Sequence, residues 1–230
     1  MNMNEEKIRP IAYIRTDFTE KFGIPRQSGR APSLMGRIVF LPEYRIPDAL
    51  RELEGFSHIW LIFDFSQAHR EKWSPTVRPP RLGGNRRIGV FASRSPFRPN
   101  PLGLSSVRLE RIEHTKNEGD VLIVSGADLL DMTPIYDIKP YLPHIDCHED
   151  AKGGYADEVH DYRLRVDFPE KLLHLLPENK REAAVECLAD DPRPSYHDDP
   201  CRVYGMCFAG FDIRFTVKDG VLTVTEVVKQ

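Results

Sequence analysis

The first 143 residues offer strand-sized apolar runs with almost no room for helices between them. The runs 8–15, 36–41, 58–65, 87–93, 105–112, 120–126 and 135–139 are rich in Ile, Val and aromatic residues, and the gaps hold Pro, Gly and Asn. Parallel neighbours need a crossover of a dozen or more residues, usually a helix. Only 47–53, with Pro47 at a first helical position, reads that way. This spacing favours an antiparallel barrel or sandwich over a doubly wound parallel sheet. No Gly-x-Gly-x-x-Gly follows the first strand, and Gly83-Gly84-Asn85 is no substitute, which argues against a Rossmann nucleotide site.

The pattern changes after Pro143. Residues 144–161 are polar and acidic without periodicity, as in a connector. Then 162–167 reads as a strand, and 169–176 and 178–188 as helices, the second with apolar spacing through Ala184, Val185 and Leu188. The runs 202–208, 211–217 and 221–228 alternate as strands, and Lys218-Asp219-Gly220 is a hairpin signal. The expectation is a β domain over 1–145, a connector over 146–161 and a small α+β domain over 162–230.

A formal charge of −3 on 230 residues argues, taken alone, against a DNA-coating protein. That average hides a split: residues 1–111 carry 19 Lys and Arg against 11 acids, and the remainder 13 against 24. No apolar stretch approaches the length of a bilayer span, and Met1–Glu6 has neither the basic nor the apolar region of a signal peptide. The cysteines Cys147, Cys187, Cys201 and Cys207 include no Cys-x-x-Cys and read as free thiols of a cytoplasmic protein. Cys201 and Cys207, six apart around a strand, are expected to share its buried face.

Between residues 78 and 98 stand six arginines (Arg78, Arg81, Arg86, Arg87, Arg94, Arg98) and no acid. Arginine clamps phosphate or carboxylate with a planar fork and stacks on bases. Most charge runs are solvated surface. This one is interleaved with Phe91 and Phe97, broken by Pro79-Pro80, and ends in Pro99-Asn100-Pro101, which points to an RNA- or phosphate-binding surface.

The stretch 89–105, GVFASRSPFRPNPLGLS, resembles the signature of the TsaA-like (YaeB/TrmO) family. Five further segments resemble family segments in order: Lys21-Phe22-Gly23-Ile24-Pro25-Arg26-Gln27, Phe56-Ser57-His58-Ile59-Trp60, residues 75–85, Asp137-Ile138-Lys139-Pro140-Tyr141-Leu142-Pro143, and Asp191-Pro192-Arg193-Pro194. The resemblance implies an S-adenosylmethionine-dependent methyltransferase acting on N6 of threonylcarbamoyladenosine at tRNA anticodon-loop position 37. It implies a β-barrel of non-Rossmann type, working as a homodimer with the cofactor near the subunit interface.

Carried over, the cofactor contacts fall on Pro25, Arg26, Gln27, Ser66, Gln67, Arg94, Leu104, Asp128, Leu129, Leu130 and Asp131. Arg26 or Arg94 suits the methionyl carboxylate, and a carboxylate such as Asp131 suits a sulfonium or amino group. Where the family usually has Asp-Gly-Thr-Pro, this chain has Asp131-Met132-Thr133-Pro134. If that glycine uses a positive φ, Met132 must strain or reroute the turn.

For the chemistry, Asn100 is a candidate to accept from the exocyclic amine and orient its lone pair, although Asn-Pro is also simply a turn dipeptide. Asp137 is an alternative proton acceptor, with Lys139 as its expected ion-pair partner. Arg78, Arg81, Arg86 and Arg98 are candidates for the threonylcarbamoyl carboxylate. His69 and Trp73 either line the pocket or sit on a surface turn. The metal-ligand types in 144–150 lack the separated second pair of a zinc site and read as a polar loop. Asp191-Pro192-Arg193-Pro194 is a structural clamp or a contact with tRNA or a partner subunit. The competing class is a non-catalytic RNA- or nucleotide-binding barrel. No membrane partner and no metal are expected.

Overall fold

The computed structural model describes residues 7–79, 86–158, 160–194 and 199–230. Eight strands precede the connector: β1 (Ala12–Arg15), β2 (Met35–Phe40), β3 (His58–Asp64), β4 (Thr76–Val77), β5 (Ile88–Gly89), β6 (Leu102–Thr115), β7 (Gly119–Ser125) and β8 (Thr133–Pro140). Six of them close into a barrel of order β1-β2-β7-β6-β3-β8, in which every neighbouring pair is antiparallel. The short β4 and β5 pair only with each other.

Alternation sets the inside of this sheet. On β3, Ile59, Leu61 and Phe63 are buried while Trp60 and Ile62 lie between them on the other face. They pack with Ile14, Ile38, Val107, Leu122, Val124, Leu129 and Ile135. β6 serves two partners: its first half pairs β3 and its second half β7, with a register shift between Leu109 and Arg111 that lets the strand turn the corner. Near the start of β6, Gly103 stands opposite Phe63, where a Cβ would overlap the Phe63 ring.

A short helix α1 (Pro143–Asp146) follows the barrel. The second unit comprises β9 (Arg165–Asp167), α2 (Glu170–Leu173), α3 (Glu178–Ala189), β10 (Tyr204–Phe208), β11 (Phe211–Lys218) and β12 (Val221–Lys229). Its sheet runs β10-β11-β12-β9. Asp219 (φ 50°) and Gly220 (φ 73°) make the two-residue turn anticipated at that hairpin. Three residues from the β1–β2 connection, Phe18, Ala31 and Leu34, belong to this second core, and Phe18 lies 5.3 Å from Phe208 between ring centroids.

Several expectations are corrected. The helix expected over 47–53 is two 3-10 turns, Pro47–Leu50 and Leu53–Gly55, separated by Glu52 at φ 67°. Of the run 87–93, only β5 is strand, and Val90–Ala92 turns away. The buried seam of α3 is Ala183, Ala184, Cys187 and Leu188, without Val185. Cys201 is exposed and Cys207 half-buried, so they are not a pair of core thiols; Cys187 is the buried one. None of the described helices is long and apolar enough to cross a membrane.

Candidate functional site

Strict antiparallel order has one consequence for placement. Strands β1, β3 and β7 end, and β2, β6 and β8 begin, at the same mouth of the barrel. The connections 16–34, 65–101 and 126–132 therefore meet there. They are stitched together: Lys21 Nζ donates to Gln67 O (3.3 Å), Arg94 Nη1 to Gln27 Oε1 (2.6 Å), Gly29 N to Gly126 O (2.8 Å) and Asp131 N to Phe18 O (2.8 Å). Sequence positions far apart, Gln27, Gln67, Arg94 and the Asp128–Asp131 run, thus share one neighbourhood.

Asp128 is the electrostatic focus. Burial pushes its carboxyl above the ordinary carboxylate range, and the Ser105 hydroxyl, donating at 2.6 Å, and the nearby Arg94 charge only partly reverse this. Ser105 had not been singled out. Its signal was a hydroxyl at an inward position of β6, between Gly103 and Val107. Asp131 accepts from Arg15 Nε and Thr16 N, each at 3.0 Å, so its carboxylate is already partnered. Met132 keeps a positive φ of 62°, with its N–H donating to Ile14 O at 2.8 Å. The turn is strained and not rerouted.

The remaining contact candidates divide. Pro25 is buried; Ser66 and Gln67 are exposed at the end of β3. Leu129 is a barrel-core side chain whose carbonyl accepts from Thr16 Oγ1, and Leu130 is half-buried with its carbonyl taken by Thr133. Leu104 stands 55% exposed on the outer face of β6, with Leu102 beside it. Arg26 turns away from Arg94: its Nη2 donates to Arg193 O at 2.7 Å, in the second unit. Of the two arginines considered for a carboxylate, Arg94 is the one facing Gln27 and Asp128.

Among the arginines, Arg78 is exposed and Arg81 lies outside the described residues. Arg86 meets Glu158 at 3.3 Å in an exposed pair, which is worth little and is easily exchanged for another anion. Arg98 Nη1 donates to Ser93 O (3.1 Å), bracing the signature loop. Arg70, outside the acid-free run, places its guanidinium 3.8 Å above the Phe97 ring. Trp73 and Phe91 lie 6.0 Å apart and are 50% and 74% exposed. Exposed rings among arginines suit stacking of unpaired bases.

Asn100 is exposed, and its neighbour Pro101 accepts from Phe65 N at 2.8 Å, which sets it beside the end of β3. Asp137 lies along β8 opposite Ile62 and is bound by Lys139 at 3.0 Å, the partner expected for it. His69 Nε2 lies 2.7 Å from the buried Asp64 carboxylate, on a strand position opposite Leu102. Asp191 and Arg193 form a double bond pair (2.9 and 3.0 Å) capped by Tyr162 OH at 2.9 Å, and this loop grips Arg26. Among the described residues no group of three or more His, Cys, Asp or Glu converges as a metal site.

Two family models match in tandem: the tRNA-methyltransferase O N-terminal domain over residues 13–147 and the TrmO C-terminal domain over 161–230. The chain belongs to the tRNA-methyltransferase O (TrmO) family. The tRNA (adenine(37)-N6)-methyltransferase of Escherichia coli K12 is 40% identical over 225 residues, 94% of this chain and 95% of that one. A Pseudomonas aeruginosa relative, whose name describes an S-adenosylmethionine-dependent methyltransferase, RcsF, is 44% identical over 216 residues, 90% and 91% of the two chains. The crystal structure of TrmO from P. aeruginosa superposes with a TM-score of 0.81 at 36% identity, covering 100% of this chain and 99% of that one.

Proposed function

We propose that this TrmO-family chain transfers a methyl group from S-adenosylmethionine to N6 of adenine 37 in tRNA, and that its substrate is the threonylcarbamoylated adenine. The observation that carries the reading is the convergence of Gln27, Arg94 and the half-buried Asp128 carboxylate at one barrel mouth, beside an exposed arginine and aromatic edge. An anion raised in pKa by desolvation fits a cationic ligand group, and Arg94 beside it fits a carboxylate. The methyl donor brings a methyl group already made electrophilic by its sulfonium.

The protein's task is then orientation. Arg94 and Gln27 hold the donor's amino-acid end, Asp128 faces its positive charge, and main-chain N–H groups at Ser66-Gln67 and Leu129-Leu130, whose carbonyls at Gln67, Leu129 and Leu130 are already taken, meet its remaining polar edges. Asn100 accepts from the exocyclic amine and turns its lone pair toward the methyl group. N6 of the threonylcarbamoylated adenine carries a single hydrogen, which Asn100 orients before transfer and which leaves afterwards; with Asp137 bound by Lys139, His69 is the acceptor put forward for it, its ring held by Asp64 at Nε2. Arg78, Arg86 and Arg98 supply cations for the threonylcarbamoyl carboxylate, and Arg81 belongs with them by sequence.

The chain divides into a methyltransferase barrel over 1–145, a connector over 146–161 and an α+β unit over 162–230. The outward Leu102 and Leu104 support a homodimer through β6. A tRNA substrate supports a cytoplasmic location. The test is incubation with labelled methyl donor and anticodon stem-loops with and without the threonylcarbamoyl group, followed by mass spectrometry of the nucleosides. Methyl incorporation only into the modified loop is expected. Binding of RNA without donor binding or methylation would favour the non-catalytic barrel.

A further inference from the structure

The segment carrying Gln27 is held from the second unit by one buried carboxylate. Asp190, 2% exposed just past α3, accepts the main-chain N–H of Arg26 on Oδ2 (3.1 Å) and Nε of Arg30 on Oδ1 (2.7 Å). Gln27 lies inside that bracket. The remaining cation hydrogens extend the grip: Arg26 Nη2 reaches Arg193 O at 2.7 Å, and Arg30 reaches His160 O at 2.6 Å and Tyr162 O at 2.8 Å. On the barrel side, Gly29 N is fixed to Gly126 O, two residues before Asp128. Residues 26–30 are thus suspended between the two units.

We propose that Asp190 is a positioning residue for methyl-donor binding: it fixes where Gln27 stands and, through Gln27 Oε1, where the Arg94 guanidinium points. A carboxylate with both oxygens engaged by fixed donors admits one loop path. Asparagine in its place keeps one acceptor oxygen and turns an NH2 toward the other donor, so either the Arg26 N–H or the Arg30 guanidinium loses its partner and the loop moves to reach water. The small α+β unit thereby shapes the donor site without contributing a donor contact. This rests on the reading of Gln27 and Arg94 as donor contacts.

The test compares the full-length wild type with Asp190→Asn, Arg30→Ala and Lys180→Ala by calorimetry with S-adenosylmethionine, steady-state methylation and thermal melting. Lys180 pairs with Asp17 at 2.6 Å, an ion pair that also joins the two units but lies outside residues 26–30. Asp190→Asn and Arg30→Ala are expected to raise the donor Kd and KM roughly tenfold, with kcat at saturating donor within about twofold. Lys180→Ala is expected to lower the melting temperature with donor affinity unchanged. The proposal is overturned if Asp190→Asn binds the donor as wild type does, or if affinity follows melting temperature across all three variants. Should Asp190→Asn fail to fold, Arg30→Ala decides by the same criteria. A wild type that binds no donor would instead overturn the assignment of the site.

Discussion

Arg94 donates from Nη1 to Oε1 of Gln27 at 2.6 Å across 67 positions of sequence. This bond joins the signature loop to the β1–β2 connection and holds the fork of Arg94 beside Asp128. Arg94→Ala removes both the cation and the brace, and is expected to weaken donor binding by about tenfold or more. Arg94→Lys keeps the charge without the fork and falls between. Unchanged calorimetric affinity in Arg94→Ala would contradict the assignment.

In the proposed mechanism Asn100 acts on the acceptor amine and not on the donor. Asn100→Ala is expected to lower kcat by roughly a hundredfold with donor KM within about twofold. His69→Gln should also lower kcat, while Asp137→Asn, which only releases Lys139, should not. Single-turnover methylation of modified stem-loops separates the three. Equal losses in donor affinity and kcat for Asn100→Ala would argue against orientation.

Asp128 makes stability and binding pull in opposite directions. Its folded-state pKa is raised by burial, so the native protein holds this proton more tightly than the unfolded chain does. The stability it contributes is present below the unfolded pKa and is lost as pH rises through the folded one. Asp128→Asn removes that loss. Its melting temperature should exceed that of wild type at neutral pH, and the difference should shrink on acidification. Donor affinity should fall at neutral pH. A variant melting below wild type at pH 7 would mean that the bond from Ser105 outweighs desolvation.

Met132 carries strain that a glycine would relieve. A left-handed backbone costs a non-glycine residue about 1–2 kcal/mol, and glycine returns roughly half of that through its freer unfolded state. With half its surface exposed, the Met132 side chain contributes little packing in exchange. Met132→Gly is expected to stabilise by about 1 kcal/mol, or about 2–4 °C in melting temperature. Thermal denaturation without donor is the measurement, and a lower melting temperature would show that the side chain is needed.

The barrel strands were legible because β-branched and aromatic alternation is local. Ile59, Leu61 and Phe63 announce an inward face without reference to the rest of the chain. The 3-10 turns near Glu52 and the breakdown of strand at Val90 were not, because short apolar runs do not distinguish a strand from a turn. Family motifs point to Gln27, Arg94 and Asp128, but not to their mutual contacts. Ser105, Arg70 and the Asp190 bracket depend on pairings across the fold, and no window of sequence contains both partners. The passage of Phe18, Ala31 and Leu34 into the second core was invisible for the same reason.

Alternating strand direction gathers every connection of the site at one mouth and puts the β2–β3 connection, with its 3-10 turns, and the tight β6–β7 turn at the other. The β6–β7 turn at Lys116-Asn117-Glu118 is closed locally by Thr115 Oγ1 to Gly119 O at 3.0 Å. The barrel therefore has a working end and a handling end. A fluorophore, affinity tag or inserted loop placed between Thr115 and Gly119 would sit the full length of β6 away from Asn100, which precedes that strand, and report on the enzyme without entering its chemistry.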